Sequence, residues 1–218
     1  MRLDLREPLR YLGVRGEPDP ALLARLSAAA DKLTRTVEPR WVWRAYPLIH
    51  GELPVLEGAG LTLPGALAAR MLAECSQAVL LACTLGAGFE ALLRAEQARG
   101  MDRAALLDAC GSAWVEAGCD EVQAEISDRF PDLYLTDRFS PGYGDLPLSL
   151  QRDICGSLDA PRRLGVQVTD SLLLNPSKTV TAVIGLSDRP QPARIRGCGF
   201  CNLRETCQYR KGGKTCGA

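Results

Sequence analysis

Apolar residues recur along this chain with two periods, and the switches between them mark out its secondary structure. Behind Asp19-Pro20, a capping carboxylate followed by proline at the first helical position, Leu22, Leu23, Leu26, Ala29, Ala30 and Leu33 recur at helical spacing. A helix is therefore expected to about Thr36. Trp41, Trp43 and Ala45 alternate with Val42 and Arg44, predicting a strand that ends near Pro47. Pro64 opens a second helix through Leu67, Met71 and Leu72, and the compact apolar run Gln77–Thr84 reads as a buried strand. Leu85-Gly86-Ala87-Gly88 then turns into a helix over residues 89–99.

The longest helical stretch begins at Asp102 and covers residues 102–130, with Gly111 and Gly118 inside it. Each interior glycine costs about 1 kcal/mol relative to alanine, so two of them point to close approach by another backbone or by a ligand. Residues 133–135 read as a short strand and residues 147–158 as a helix. Residues 166–170 are extended, and residues 178–187 form a clear strand. In that strand Val180, Ala182, Ile184 and Leu186 face one way, while Thr179, Thr181, Val183 and Gly185 face the other. Strands separated by helices of unequal length predict an α+β fold, a twisted mixed or antiparallel sheet with flanking helices, rather than a doubly wound sheet.

Composition narrows the class. The 218 residues are 46% hydrophobic and 24% charged with zero formal net charge, the proportions of a soluble globular protein without a global field for DNA or anionic membranes. The charged N-terminus does not read as a signal peptide, and the most apolar stretch, residues 78–89, is far shorter than the ~20 residues of a membrane span. A cytoplasmic protein without membrane attachment is expected. Its nine cysteines then argue for burial or metal binding rather than disulfides. Cys75, Cys83, Cys110, Cys119 and Cys155 lie among Ala, Leu and Val, where cysteine behaves as a small hydrophobe. His50 is the only histidine, at the end of an apolar strand, and is expected to be structural.

Candidate chemistry concentrates in Arg138-Phe-Ser-Pro-Gly-Tyr143. Ser140 to Tyr143 fit a type II turn, with proline presetting φ at the second position and Gly142 supplying positive φ at the third. Arg138 can hold a carboxylate by two parallel hydrogen bonds, Gly142 and Gly144 permit close backbone approach, and Tyr143 adds an aromatic face and a hydroxyl. A ligand carrying an amino-acid group fits that set.

A longer series of motifs surrounds this segment. Arg138-Phe-Ser-Pro-Gly-Tyr-Gly-Asp-Leu-Pro-Leu-Ser-Leu-Gln151, Val168-Thr-Asp-Ser171 and Asn175-Pro-Ser-Lys-Thr-Val-Thr-Ala-Val-Ile-Gly185 follow in order. Leu9-Arg-Tyr-Leu-Gly13, Leu63-Pro-Gly-Ala-Leu-Ala68 and Ala82-Cys-Thr-Leu-Gly86 precede them. Jointly they resemble the activation domain of vitamin B12-dependent methionine synthase over residues 5–188. The resemblance implies S-adenosylmethionine binding, in support of reductive methylation of an oxidised corrinoid cobalt. It implies that Arg138 grips the ligand carboxylate, that Ser140 gives backbone contacts, that Tyr143 is the motif tyrosine, and that Glu116 or Asp120 meets the amino group. Glu116 is preferred. Without homocysteine, folate or cobalamin domains, the chain is expected to serve a separate corrinoid protein that supplies the cobalamin, such as a truncated methionine synthase. It would then be a non-catalytic half completed in trans, with flavodoxin or ferredoxin as a candidate electron donor.

Residues 189–218 form a second expected region. Cys198, Cys201, Cys207 and Cys216 are spaced C-x2-C-x5-C-x8-C among glycines and basic residues, a pattern that suits four-thiolate metal binding. The irregular spacing favours a [4Fe–4S] cluster, and zinc is the alternative. Two rival functions follow from this tail. One is a zinc-knuckle nucleic-acid module, against which stand the few tail aromatics, Phe200 and Tyr209. The other is a sensor of S-adenosylmethionine or metal that drives no methylation.

Overall fold

In the computed structural model, residues 1–190 are described, together with Ile195, Glu205, Thr206 and Lys211. Cys198, Cys201, Cys207 and Cys216, and with them the expected metal site, lie outside the described residues. The chain divides into two compact units, one formed by Met1–Val42, Ala82–Glu125 and Asp159–Val180, the other by Trp43–Leu81, Ile126–Leu158 and Thr181–Ala218. The hydrogen-bonding order of the six-stranded sheet is β3-β2-β1-β4-β8-β5, where β1 is Arg40–Ile49, β2 Val55–Leu56, β3 Leu61–Thr62, β4 Gln77–Thr84, β5 Tyr134–Leu135 and β8 Thr179–Ser187. A separate pair, β6 (Gln167–Val168) and β7 (Leu174–Asn175), runs antiparallel. The fold is α+β, a largely antiparallel sheet with flanking helices, as the sequence predicts.

The helices of the first unit are α1 (Arg6–Tyr11), α2 (Pro20–Thr36), α4 (Gly86–Gln97), α5 (Met101–Arg129, up to Glu125) and α7 (Ala160–Leu164). The Asp19 side chain accepts the Ala21 N–H at 2.9 Å and caps α2, which buries Leu26, Ala30 and Leu33. In α5 the buried stripe runs through Leu107, Cys110, Trp114, Val115, Cys119 and Val122. The Trp114 indole donates to the Val37 carbonyl at 2.8 Å, so this buried ring keeps its polar end satisfied. Neither helix glycine meets a backbone or a vacant ligand space, which corrects the sequence expectation. A Cβ on Gly111 would lie 2.4 Å from the Phe89 ring, and one on Gly118 would lie 2.6 Å from Pro39 and 2.9 Å from the Cys83 sulfur. The helix gives up side chains there to admit neighbouring side chains of its own unit.

In the second unit β1, β2 and β3 form an antiparallel meander with Ile49 opposite Val55 and Leu56 opposite Leu61. Helix α3 (Ala66–Leu72) buries Leu67, Ala68, Met71 and Leu72. Gly185 of β8 faces the Cys75 sulfur, Leu72 and Thr136, and a Cβ there would approach the sulfur to 2.5 Å. His50 Nε2 donates to the Cys75 carbonyl at 2.7 Å, a structural use.

Several boundaries differ from the pattern. Helix α4 starts at Gly86, three residues before Phe89, because the Thr84 hydroxyl accepts the Gly86 N–H at 3.0 Å and caps the turn. Helix α6 (Leu150–Ser157) starts after Pro147, whose carbonyl begins a tighter i→i+3 turn with Leu150. The short elements α1, β2, β3, α7 and β7 are too brief for periodicity to mark. All five scattered cysteines are buried, and burial pushes the thiols of Cys75 and Cys155 up to about 11 and that of Cys110 to about 12. No helix among the described residues is long and apolar enough to cross a membrane.

Candidate functional site

The candidate segment leaves the sheet edge in steps set by its sequence. Tyr134 pairs with Ser187 and Leu135 with Leu186, the Thr136 N–H donates to the Gly185 carbonyl at 3.0 Å, and Phe139 and Val183 exchange bonds of 3.1 and 2.8 Å. Three residues advance on one strand while two advance on the other, so a bulge lies at Asp137 and Arg138. It keeps Phe139 fully buried while turning the chain away beyond it. Arg138 is only 8% exposed. A guanidinium so enclosed requires polar partners, since burying one without them is costly.

Next comes the predicted turn. The Tyr143 N–H donates to the Ser140 carbonyl at 3.1 Å, and Gly142 has φ +91°, the value that a type II turn asks of its third residue. A second turn follows at once, with the Leu146 N–H donating to the Tyr143 carbonyl at 2.9 Å and the Gly142 N–H to the Leu146 carbonyl at 2.8 Å. The amides of Gly142 and Tyr143 are thus engaged inside the bend. What Gly142 offers a ligand is an exposed Cα face rather than a donor. Pro141, Leu146 and Leu150 are buried beneath the bend, whereas Tyr143, 55% exposed, projects outward.

One residue that fixes this bend has no signal in the local pattern. The Asp145 carboxylate accepts the N–H groups of Ala66 and Leu67 at 2.6 and 3.0 Å, and so caps α3 from 78 or more residues away. Those two amides hold its carboxyl below the usual carboxylate value. Gly65, the residue before α3, has φ +99° and no room for a side chain, because a Cβ would lie 2.7 Å from the Asp145 carboxylate. Leu63-Pro-Gly-Ala and Gly144-Asp145 both belong to the motifs quoted above, yet nothing in the sequence joins them.

Glu116 and Asp120 lie on α5 in the first unit, Glu116 half-buried and Asp120 exposed. Arg138, Ser140, Gly142 and Tyr143 are together in the second. Beside Glu116 stands Tyr11, from the Leu9–Gly13 motif. Burial, and then the Glu116 charge, raise the Tyr11 phenol above its ordinary value. The Arg10 guanidinium lies 4.6 Å from the Tyr11 ring centre. Among the described residues no group of three or more His, Cys, Asp or Glu is placed to hold a metal ion.

A largely antiparallel sheet of this strand order with these flanking helices defines an α+β fold. In particular, the chain is similar in structure to the MetH reactivation domain bound to AdoHcy, with a TM-score of 0.65 and 16% sequence identity, covering 97% of this chain and 83% of that one. At that identity the likeness establishes the fold. No protein-family model and no curated protein sequence matches the chain.

Proposed function

We propose that this chain binds S-adenosylmethionine at the bend carrying Arg138, Ser140, Gly142 and Tyr143. We propose further that it serves as the reactivation component for a separate corrinoid protein. The observation that carries this reading is the enclosed Arg138 guanidinium directly before a turn held open by Gly142. An amino-acid carboxylate suits the first and an adenosyl or sulfonium portion suits the second. The reactivation-domain fold supports the same reading, since the similar domain is described as bound to AdoHcy.

In this role S-adenosylmethionine supplies a methyl group on a positively charged sulfur. Arg138 holds the ligand carboxylate by charge-assisted hydrogen bonds and thereby sets its orientation. The Gly142 surface admits the ligand closely, and Tyr143 covers it from the solvent side. Assignment of Glu116 to the ligand's ammonium group rests on the resemblance alone. Chemistry at cobalt belongs to the partner's cobalamin, so this chain contributes binding and orientation. It is half of a methyltransferase site completed by a corrinoid protein such as a truncated methionine synthase, with flavodoxin or ferredoxin as the candidate electron source.

We also propose that residues 189–218 are a separate four-cysteine region that binds [4Fe–4S] or zinc through Cys198, Cys201, Cys207 and Cys216. A brown, visibly absorbing solution of anaerobically purified protein supports the cluster, and a colourless one containing stoichiometric zinc supports the alternative.

Calorimetric titration with S-adenosylmethionine tests the main reading. Saturable binding by the native chain that is lost in Arg138→Ala is the expected result. Equal affinity in the two proteins would overturn the assignment. Mixing the chain with a reductant, S-adenosylmethionine and a Co(II) corrinoid protein then separates reactivation from sensing, because only reactivation yields methylcobalt.

A further inference from the structure

Away from the bend, the first unit holds a pocket of about 270 Å3 whose chemistry the proposed function does not use. Its floor is aliphatic, made by Leu106 and Leu107 of α5 with Ala28 and Ala29 of α2. Four cations line it: Arg25 and Lys32, two turns apart on α2, with Arg99 after α4 and Arg103 in the first turn of α5. Facing them are two carboxylates, Glu96 and Asp102.

The ion pairs leave an excess of positive charge. Glu96 has a side chain only 9% exposed and is bound by the Lys32 ammonium and, at 2.7 Å, by the Arg99 guanidinium. Asp102 accepts the Arg103 backbone N–H and pairs with Arg25. The Arg103 guanidinium has no carboxylate partner among the described residues. It also sits at the N-terminal end of a 29-residue helix, where the helix dipole disfavours a cation. Neither an ion pair nor the helix therefore gains from this charge, and it stands at the mouth of an apolar depression.

We propose that this pocket binds a small organic anion with a short aliphatic portion. The carboxylate or phosphate would lie against Arg103, with Arg25 and Arg99 beside it, and the aliphatic part on Leu106, Leu107 and the two alanines. Pockets with an apolar floor and a few convergent polar groups are where small ligands bind. The excess cations select for an anion, and the floor selects against a bare inorganic ion.

The test uses the full chain, with hexanoate, inorganic phosphate and hexylammonium as probes, followed by calorimetry and by amide chemical shifts. Two variants separate charge from shape. Arg103→Ala removes the unpaired cation, and Ala28→Phe fills the floor while leaving every charge. Hexanoate is expected to bind saturably, at least about tenfold more tightly than phosphate or hexylammonium. Arg103→Ala should weaken it about tenfold, the scale of one charge-assisted contact, and Ala28→Phe should abolish it. Binding of hexylammonium as tight as that of hexanoate, phosphate as tight as hexanoate, unchanged hexanoate affinity in either variant, or no saturable binding at all would each overturn the proposal. S-adenosylmethionine titrated into the same samples reports on the bend independently, and unchanged thermal midpoints show that both variants fold.

Discussion

Glycine serves opposite purposes in α5 and in the bend of residues 138–146. In the helix, Gly111 and Gly118 are regular helical residues that give up helix propensity so that Phe89, Pro39 and Cys83 can occupy the space a side chain would need. In the bend, Gly142 is exposed and a Cβ there would meet only the end of the Leu148 side chain, at 3.3 Å, so its backbone angle of +91° is what other residues chiefly resist. A missing side chain therefore points to a ligand only where packing does not already account for it. By that standard the bend remains the candidate site and the helix does not.

The strongest way to break this contrast is at Arg138, where the largest effect is expected. Truncating an enclosed charged group strands its partners, at about 2–5 kcal/mol. Arg138→Ala should accordingly lose at least thirtyfold in affinity for S-adenosylmethionine by calorimetry, and Arg138→Lys should recover only part of it, because an ammonium cannot hold a carboxylate with two parallel bonds. Should Arg138→Ala bind normally, the bend would be a structural corner and nothing more.

The helix glycines come next. Gly118→Ala gains up to about 1 kcal/mol of helix propensity but forces a methyl group against the rigid Pro39 ring, and overpacking costs about 1–3 kcal/mol. A lower urea midpoint is expected, with S-adenosylmethionine affinity unchanged once the protein is folded. At Gly142 the balance shifts. Alanine there must adopt positive φ, which costs folding stability about 1–2 kcal/mol, and its methyl group on the exposed Cα should in addition weaken ligand binding. Parallel losses of stability and affinity in both variants would erase the distinction drawn between the two regions.

These contrasts also show how far the sequence could be read. Helix α2, strand β4 and the Ser140–Tyr143 turn were legible because each is specified locally, by a cap and helical period, by an unbroken apolar run, and by Pro-Gly. The purpose of Gly111 and Gly118 was not, since helical spacing shows that a side chain is missing and not what fills the gap. The bulge at Asp137 and Arg138 escaped for a related reason, as register depends on the partner strand. Asp145 was hidden most completely. Its partners, Ala66 and Leu67, are distant in the chain, and an acid after glycine in a loop reads as ordinary surface.

The smallest expected effect belongs to that aspartate, and it gives the finest test of whether the bend is held as one piece. Its folded carboxyl titrates below the usual value because the Leu67 and Ala66 amides favour the charged form. The folded value being the lower one, the contribution is complete above the unfolded value of about 3.9 and is lost as pH falls through the folded value. Unfolding midpoints of the native chain should therefore decline in that acid window more than those of Asp145→Asn. The asparagine carries one acceptor oxygen in place of two and does not titrate, so its smaller capping contribution should be insensitive to pH. At neutral pH, Asp145→Asn should weaken S-adenosylmethionine binding modestly while leaving the Gly118 region as stable as before. A variant that shifts both regions equally would mean that Asp145 supports the whole fold rather than the bend.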